Sequence, residues 1–416
     1  MKRILQHIVK YTLMAIVMLA DAKPLSAQHK TIAPDLNGME VVVNNDWMAP
    51  PVVVLGSSDV LHVSFDQLSH EYRQYTYHLE HCEADWSLSE ELFQVEWLEG
   101  FNERPVEEYA YSVNTTVNYT HYELSIPNDM TRIKMSGNYL LSIVDEEGET
   151  AAEVRFMVVE PLATLGLSMT TNTDVGMNRE HQQLSMELNM GSLNVSKPDR
   201  QLYVLVTQNQ LWRQAVVCPL PDRTNGNQFE WVHCPELIFK GGNEWHKFEV
   251  LDVSHTTMGL DAIKWNGISY DAYPTPVETS RNYLTDVDAD GAFIVRNSDF
   301  REVETTCDYV RVHYELRTPR IWNADVMVGG RWATGSNPQQ YLMDYDETAG
   351  CYRATIWQKQ GYYNYQFFLL HADGTTELAP SEGCYYQTGN RYQAYVYYKG
   401  TEERTWRLVA FRELIF

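Results

Sequence analysis

The segment VRVHYEL, residues 310–316, alternates apolar and polar side chains along its whole length. Successive side chains of a β-strand point to opposite faces, so this alternation predicts a strand with one buried face. The segments YTYHLE, residues 75–80, and LHVSF, residues 61–65, repeat the pattern. Two apolar stretches, 138–144 and 153–159, flank the acidic turn DEEGE and predict a hairpin.

The rest of the chain favours strands as well. Residues 362–371 are followed by Ala372-Asp373-Gly374, which predicts a second hairpin. The 27 tyrosines and 11 tryptophans suit pleated surfaces, where aromatic side chains pack well. Short strands separated by turn signals predict an all-β protein made of tandem β-sandwich domains of an immunoglobulin-like or E-set-like kind.

Two interruptions of the strand pattern divide the chain. One lies at Glu160-Pro161, where the strand RFMVVE ends, and the other lies in DAYPTPVETSRN, residues 271–282. We therefore expect three domains after the leader, at residues 28–160, 161–283 and 284–416.

The first 27 residues have the composition of a secretory signal peptide. Three basic residues precede the short apolar stretch YTLMAIVMLA, and small residues allow cleavage after Ala22 or after Ala27. The first cysteine is Cys82, so no lipid-modified cysteine is expected at the mature terminus. No later stretch approaches the ~18 consecutive apolar residues of a membrane span. We expect an exported protein without direct membrane insertion.

The chain is strongly acidic. Its net charge is −24, and loss of four basic residues and one acid with residues 1–27 takes it to −27. Phosphates should repel such a surface, so nucleic acid and anionic lipid are poor partners. A basic patch on a protein partner fits the charge, and simple solubility explains it equally well.

Six cysteines in an oxidising compartment allow disulfides. Cys218 and Cys234 flank the polar turn region PDRTNGNQ and form the best local pair. Closing so short a loop would stabilise the fold by about 3 kcal/mol.

Local signatures of catalysis or of cofactor binding are not found in the sequence, which has no nucleophile elbow, HExxH, phosphate-binding glycine loop or CxxC pair. We expect a non-enzymatic protein without a cofactor. Asp286, Asp288, Asp290 and Gly291 copy the first half of a calcium loop, but Asn297 stands where a bidentate Glu is needed. An Asp-Gly turn into a strand at 292–296 explains them more simply, so no metal site is expected and calcium is kept as the weaker alternative.

Two segments are rich in aromatic residues, YYNYQFF at 362–368 and YQAYVYY at 392–398. Exposed rings there could stack on sugars, whereas buried rings would fill the sandwich. A periplasmic glycan-binding protein therefore remains the alternative function.

Several long segments resemble one family. In the first domain these are HCEADWSLSEELFQVEWLEGF, YSVNTTVNYTHYELSIPND and SGNYLLSI. The later ones include FKGGNEWHKFEV, CDYVRVHYEL and SEGCYYQTGNRYQAYVYY. They resemble the plug proteins of the type IX secretion system, in order and over nearly all of the mature chain. The last domain also looks like the starch-binding sandwiches attached to amylases, and fold likeness of that kind does not by itself confer a function.

The resemblance implies a monomeric periplasmic protein that binds the periplasmic mouth of the giant outer-membrane translocon barrel. There it would seal the channel while no substrate is in transit. The resemblance identifies no residues that contact the barrel.

Overall fold

Strand pairing dominates the structure, a computed structural model that describes residues 28–416. The predicted signal peptide, 1–27, and its cleavage sites lie outside the described residues. Within 28–416 no helix is long and apolar enough to cross a membrane. The prediction of an all-β protein is confirmed, since the sheets are mainly antiparallel and the helices are single turns.

The first unit of the fold comprises twelve strands. They are β1 (Lys30–Thr31), β2 (Leu36–Val43), β3 (Val52–Val54), β4 (Leu61–Gln67), β5 (Thr76–Cys82), β6 (Leu98–Gly100), β7 (Arg104–Pro105), β8 (Glu108–Tyr111), β9 (Thr120–Ile126), β10 (Thr131–Ile133), β11 (Gly137–Val144) and β12 (Thr150–Val159). One sheet has the order β1-β12-β11-β5-β7, with β3 beside β12, and the facing sheet has the order β2-β4-β9-β8. β6 and β10 pair separately.

The core of the first unit follows from the period-two pattern. Leu61, Val63 and Phe65 of β4 are buried, and they meet Leu79 and Leu141 of the facing sheet in one cluster. The predicted hairpin of β11 and β12 is confirmed by their antiparallel register. Two sheets thus bury their apolar faces against each other, as in a β-sandwich.

The middle unit begins with seven strands. They are β13 (Thr164–Thr170), β14 (His181–Asn189), β15 (Leu202–Gln208), β16 (Val216–Val217), β17 (Arg223–Asn225), β18 (Gln228–Trp231) and β19 (Ile238–Lys240). One sheet has the order β13-β14-β18-β17, with β19 beside β14. Trp231, Leu184 and Met186 from this sheet are fully buried in the middle core.

The last unit comprises eleven strands. They are β20 (His246–Val250), β21 (Leu260–Trp265), β22 (Tyr270–Pro274), β23 (Val277–Glu278), β24 (Phe293–Val295), β25 (Tyr309–Arg317), β26 (Asp325–Gly329), β27 (Asp344–Asp346), β28 (Cys351–Lys359), β29 (Gly361–Leu370) and β30 (Thr376–Leu378). One sheet runs β21-β22-β25-β28-β27, and the other is built around β29. The segment 310–316 forms β25 with its apolar side chains inside, and the predicted hairpin of β29 and β30 is present.

The last two strands return to the middle unit. β31 (Arg391–Tyr398) pairs with β15, and β32 (Arg407–Ile415) pairs with β31, so the second middle sheet has the order β16-β15-β31-β32. This arrangement differs from the expected linear division into 161–283 and 284–416. Residues 246–278 pack in the last core, whereas residues 391–415 complete the middle one, so the last unit is inserted into the middle unit.

Helical segments are single turns that connect strands. They are α1 (Gln94–Trp97), α2 (Pro198–Gln201), α3 (Val303–Thr306) and the 3₁₀ turns Trp212–Gln214, Pro235–Leu237, Pro338–Tyr341 and Pro380–Glu382.

Candidate functional site

A buried ion pair joins the first and last units. The Lys359 ammonium, at the end of β28, lies 2.7 Å from a carboxylate oxygen of Asp66 on β4. Asp66 also accepts hydrogen bonds from the Tyr309 hydroxyl at 2.7 Å and from the His121 ring at 2.6 Å. Asp66 is 1% exposed and Lys359 is 3% exposed, so both charges are removed from solvent. We call Asp66, His121, Tyr309 and Lys359 the Asp66 joint.

Further contacts surround the Lys359 ammonium. It donates to the Glu304 carbonyl at 2.7 Å and lies 4.2 Å from the centre of the Tyr119 ring. The Tyr119 hydroxyl in turn donates to the Cys307 carbonyl at 2.8 Å. A buried cation is tolerated only with such a complete set of partners, because its desolvation is costly.

The electrostatics of the Asp66 joint favour its charged form. Burial alone would raise the pKa of Asp66, but Lys359 and His121 outweigh burial and hold that pKa below its ordinary value. Burial alone would lower the pKa of His121, but its bonds to Asp66 and Glu123 outweigh burial and raise it. Asp66 is therefore held as a carboxylate between the Lys359 ammonium and the His121 ring.

A second joint fixes the first unit to the middle unit. Met157 and Val159 of β12 pack with Leu205, Tyr395 and Leu408 in a small buried cluster. Beside this cluster the hydroxyl of Tyr397 donates to the side-chain carbonyl of Asn138 at 2.8 Å. The Glu83 carboxylate accepts from the Thr405 hydroxyl at 2.8 Å and from the Trp406 amide at 3.1 Å.

The remaining joints tie the last unit to both others. The Thr31 amide donates to the Thr334 carbonyl at 2.8 Å, which pairs the start of the first unit with the last unit. Arg391 of β31 forms an ion pair with Asp290 at 3.0 Å. Each pair of units is thus connected by buried or half-buried polar bonds.

A cavity of about 140 Å³ lies where the three units meet. Its walls come from β2 and Trp47 of the first unit, from the turn 210–214 of the middle unit, and from residues around Arg331 of the last unit. The walls are mostly apolar, and the charged side chains among them are Glu40, Arg213 and Arg331.

The three aspartates of the calcium alternative each bind different partners. Asp286 binds the Lys247 ammonium at 2.6 Å, and Asp290 binds Arg391. Asp288 accepts from the amides of Trp245 and Asp290. Within 28–416, groups of three or more acidic, histidine or cysteine side chains arranged to hold a metal ion are not found.

The turn that carries these aspartates matches the simpler prediction. Asp290 and Gly291 both have left-handed backbone angles, with φ of 51° and 83°, and β24 follows two residues later. Burial raises the pKa of Asp288 to about 7. The three carboxylates act as partners of neighbouring amides and cations in this structure.

Cys218 and Cys234 contact the same hydrophobic core of the middle unit. Both are free thiols in this structure, and burial raises the pKa of each thiol. The bond between them stays a prediction. The nearby hairpin pairs β17 with β18, and Cys218 directly follows β16, so it precedes this hairpin and does not lie within it.

The aromatic segments proposed as sugar platforms are mostly interior. Tyr363, Tyr365 and Phe367 are at most 3% exposed, and Tyr395 and Tyr397 are at most 1% exposed. Because a ring must present its face to solvent to stack on a sugar, these side chains are not available for that purpose. They fill the cores, as the structural alternative predicted.

Sequence reasoning missed the Asp66 joint. In LHVSFDQ the alternation would place Asp66 outside, yet Phe65, Asp66 and Gln67 are all buried because the last unit covers the outer face there. The available signal was a lone lysine, Lys359, shortly before the aromatic stretch YYNYQFF. No local pattern in the sequence indicates that Lys359 pairs with Asp66, which lies 293 residues earlier.

Comparisons with known proteins bear on the first unit and on the whole fold. Residues 36–160 match the family model described as type 9 secretion system plug protein 1st domain. A solved structure of a hypothetical protein from Parabacteroides merdae ATCC 43184 is similar with a TM-score of 0.90 and 29% identity, over 94% of this chain and 100% of that chain. None of the curated proteins matches. The family match confirms the resemblance drawn from the sequence over residues 36–160.

Proposed function

We propose that the chain closes a secretion channel, because residues 36–160 match the family model described as type 9 secretion system plug protein 1st domain. In this proposal the mature protein lies in the periplasm and binds the periplasmic mouth of the outer-membrane translocon barrel. It blocks the mouth while no folded substrate is in transit. It does so by binding alone, without catalysis.

The observation that carries the proposal is the family match over residues 36–160. The joints between the units support it. A lid over a wide pore must resist deformation, and the Asp66 joint with the Tyr397–Asn138 contact ties the units through buried bonds. Flexible tandem domains would leave gaps that solutes could pass.

The charge of the chain supports a reversible contact. With a net charge of −27 after loss of residues 1–27, the surface suits a basic rim on the partner, and charged contacts speed association and weaken with salt. A seal that opens for each substrate requires such reversibility. An interface well above ~1,600 Å² would still be needed for a stable closed state.

Affinity purification tests the proposal. The full-length chain with a C-terminal tag, produced in its own host, should bring down an outer-membrane barrel protein at low salt and lose it at high salt. An unrelated acidic periplasmic protein with the same tag serves as the control. Recovery of no barrel at low salt, with the tagged chain folded and exported, would refute the proposal.

A further inference from the structure

The cavity at the meeting point of the three units is closed on several sides by apolar side chains. Six of the residues that line it are Met39, Trp47, Trp212, Met327, Tyr341 and Phe368. Met39, Trp212 and Phe368 are each less than a tenth exposed, so their positions are fixed by packing. Since each unit contributes a wall, the cavity exists only when all three units are in place.

The size of the cavity limits its occupant. Its volume of about 140 Å³ is close to that of an apolar cavity of ~150 Å³ that holds one benzene molecule. One aromatic or branched aliphatic side chain therefore fits. A long acyl chain does not, which favours a protein segment over a lipid.

The charges at the cavity are unusual for so acidic a chain. Arg213 lies at the edge of the cavity, is exposed, and makes no ion pair or side-chain hydrogen bond with any described residue. Arg331 donates to the carbonyls of Met48 and Ala49 and forms no direct ion pair in the described part of the chain. The nearby carboxylates of Glu413, Asp290 and Asp46 offset part of its charge, so the exposed Arg213 is the main cation at the cavity.

The remaining titratable groups of the lining do not balance these cations. Burial raises the pKa of Glu40, the only carboxyl group in the lining, to about 7. Burial and the neighbouring Arg331 lower the pKa of His29 to about 3, so His29 is neutral. The cavity is thus apolar inside and cationic at its edge, in a chain with a net charge of −24.

We propose that this cavity receives one apolar side chain of a partner protein segment that carries a carboxylate beside it, and that Arg213 binds the carboxylate. The apolar walls remove the side chain from water, and the unpaired guanidinium selects the neighbouring acid. The inference rests on the proposed function, since it makes the cavity an anchor point for the translocon barrel.

Small probes test the cavity without the barrel. N-acetyl-L-phenylalanine and its uncharged amide are titrated into the mature protein beginning at Lys23, with ligand-observed NMR as readout. The acid should bind about tenfold more tightly than the amide, as expected for a hydrogen bond to a charged group. Equal affinity of the two probes, or binding of neither, overturns the proposal.

Variants locate the probe. Arg213→Gln should abolish the preference for the acid, whereas Arg200→Gln, an exposed arginine outside the cavity lining, should keep it. Ala333→Leu narrows the cavity and should weaken both probes, with a thermal melt to show that the variant folds. Unchanged binding in both Arg213→Gln and folded Ala333→Leu overturns the assignment to this cavity.

The chain's own leader-proximal residues are the competing occupant. If the acid binds protein beginning at Gln28 but not protein beginning at Lys23, residues 23–27 fill the cavity and the proposal is overturned. Equal binding by both forms supports it.

Barrel capture separates this inference from the proposed function. Arg213→Gln and Ala333→Leu should each recover several-fold less barrel than wild type, and Arg200→Gln should match wild type. Full recovery by both cavity variants overturns the inference and leaves the proposed function intact. Failure of wild-type capture overturns the proposed function, and the probe assay then still reports separately on the cavity.

Discussion

Substitution of Lys359 by Met should destabilise the protein strongly. Lys359 is 3% exposed, and its removal leaves the carboxylate of Asp66, itself 1% exposed, without its ammonium partner. Breaking a buried pair by removing one partner costs about 3–5 kcal/mol of the free energy of unfolding. Tyr309 and His121 still bind Asp66, so we expect the lower part of that range.

Urea unfolding followed by tryptophan fluorescence measures the change. Lys197→Met is the matched control, because Lys197 is exposed and should change the unfolding free energy by no more than about 0.5 kcal/mol. The double variant Asp66→Asn/Lys359→Met removes both charges and should regain more than about 1 kcal/mol relative to Lys359→Met.

The effect of Lys359→Met should also depend on pH. The pKa of Asp66 in the folded protein lies below its ordinary value of 3.8. The stabilisation from the charged pair is therefore fully present above pH 3.8 and is lost as pH falls through the lowered pKa. The wild type should lose this contribution only in that acidic range. A loss below about 1 kcal/mol at pH 7, or a loss independent of the Asp66 substitution, would refute the reasoning.

Three further predictions concern titration, metal and thiols. Burial raises the pKa of Glu40 from 4.5 to about 7, so the contribution of Glu40 to the free energy of unfolding falls as pH rises from 4.5 through 7. Glu40→Gln should therefore raise the melting temperature at pH 8 and leave it nearly unchanged at pH 4. Equal shifts of the melting temperature at both pH values would contradict this pH dependence. Isothermal titration of the mature protein with millimolar calcium should give no binding heat, because the carboxylates of Asp286, Asp288 and Asp290 are bonded to amides and cations. A saturable binding heat that is lost in Asp288→Asn would support the calcium alternative. In denaturant, iodoacetamide should label Cys82 without reductant, whereas it should label Cys218 and Cys234 only after reduction. If mass spectrometry finds all three cysteines labelled without reductant, the predicted disulfide is excluded.

Strands with one solvated face could be predicted from the sequence. Residues 61–65, 75–80 and 310–316 alternate because one side packs on a core while the other meets water or polar neighbours. Local turn signals were enough to predict two hairpins. One pairs residues 138–144 with 153–159, and the other pairs the end of 362–371 with the strand that follows it. In each case the information lies within a short stretch of chain.

The interdomain arrangement could not be predicted in this way. β31 is buried on both faces, by the middle core on one side and by the joint with the first unit on the other, so its period-two signal is hidden. Its pairing with β15 spans the whole inserted last unit, and no local pattern reports such a pairing. The same holds for Asp66 and Lys359, whose charges suggest solvent exposure when read alone.

The candidate sites were misleading for a related reason. Asp286, Asp288 and Asp290 have calcium-like spacing, but their partners come from Lys247, the Trp245 amide and Arg391. The aromatic segments 362–368 and 392–398 have the composition of a sugar platform, but they are strands of the cores. Spacing and composition do not report which face of a strand another unit covers.

Uptake of a large antibiotic by cells tests the proposed seal most directly. Strains lacking this protein, the translocon barrel, or both are compared for their sensitivity to an antibiotic too large for ordinary outer-membrane pores. Loss of this protein alone should raise sensitivity, loss of both should restore resistance, and the intact gene supplied in trans should restore resistance in the single mutant. Unchanged sensitivity in the single mutant, or raised sensitivity that persists without the barrel, would contradict the proposal that this protein seals the channel.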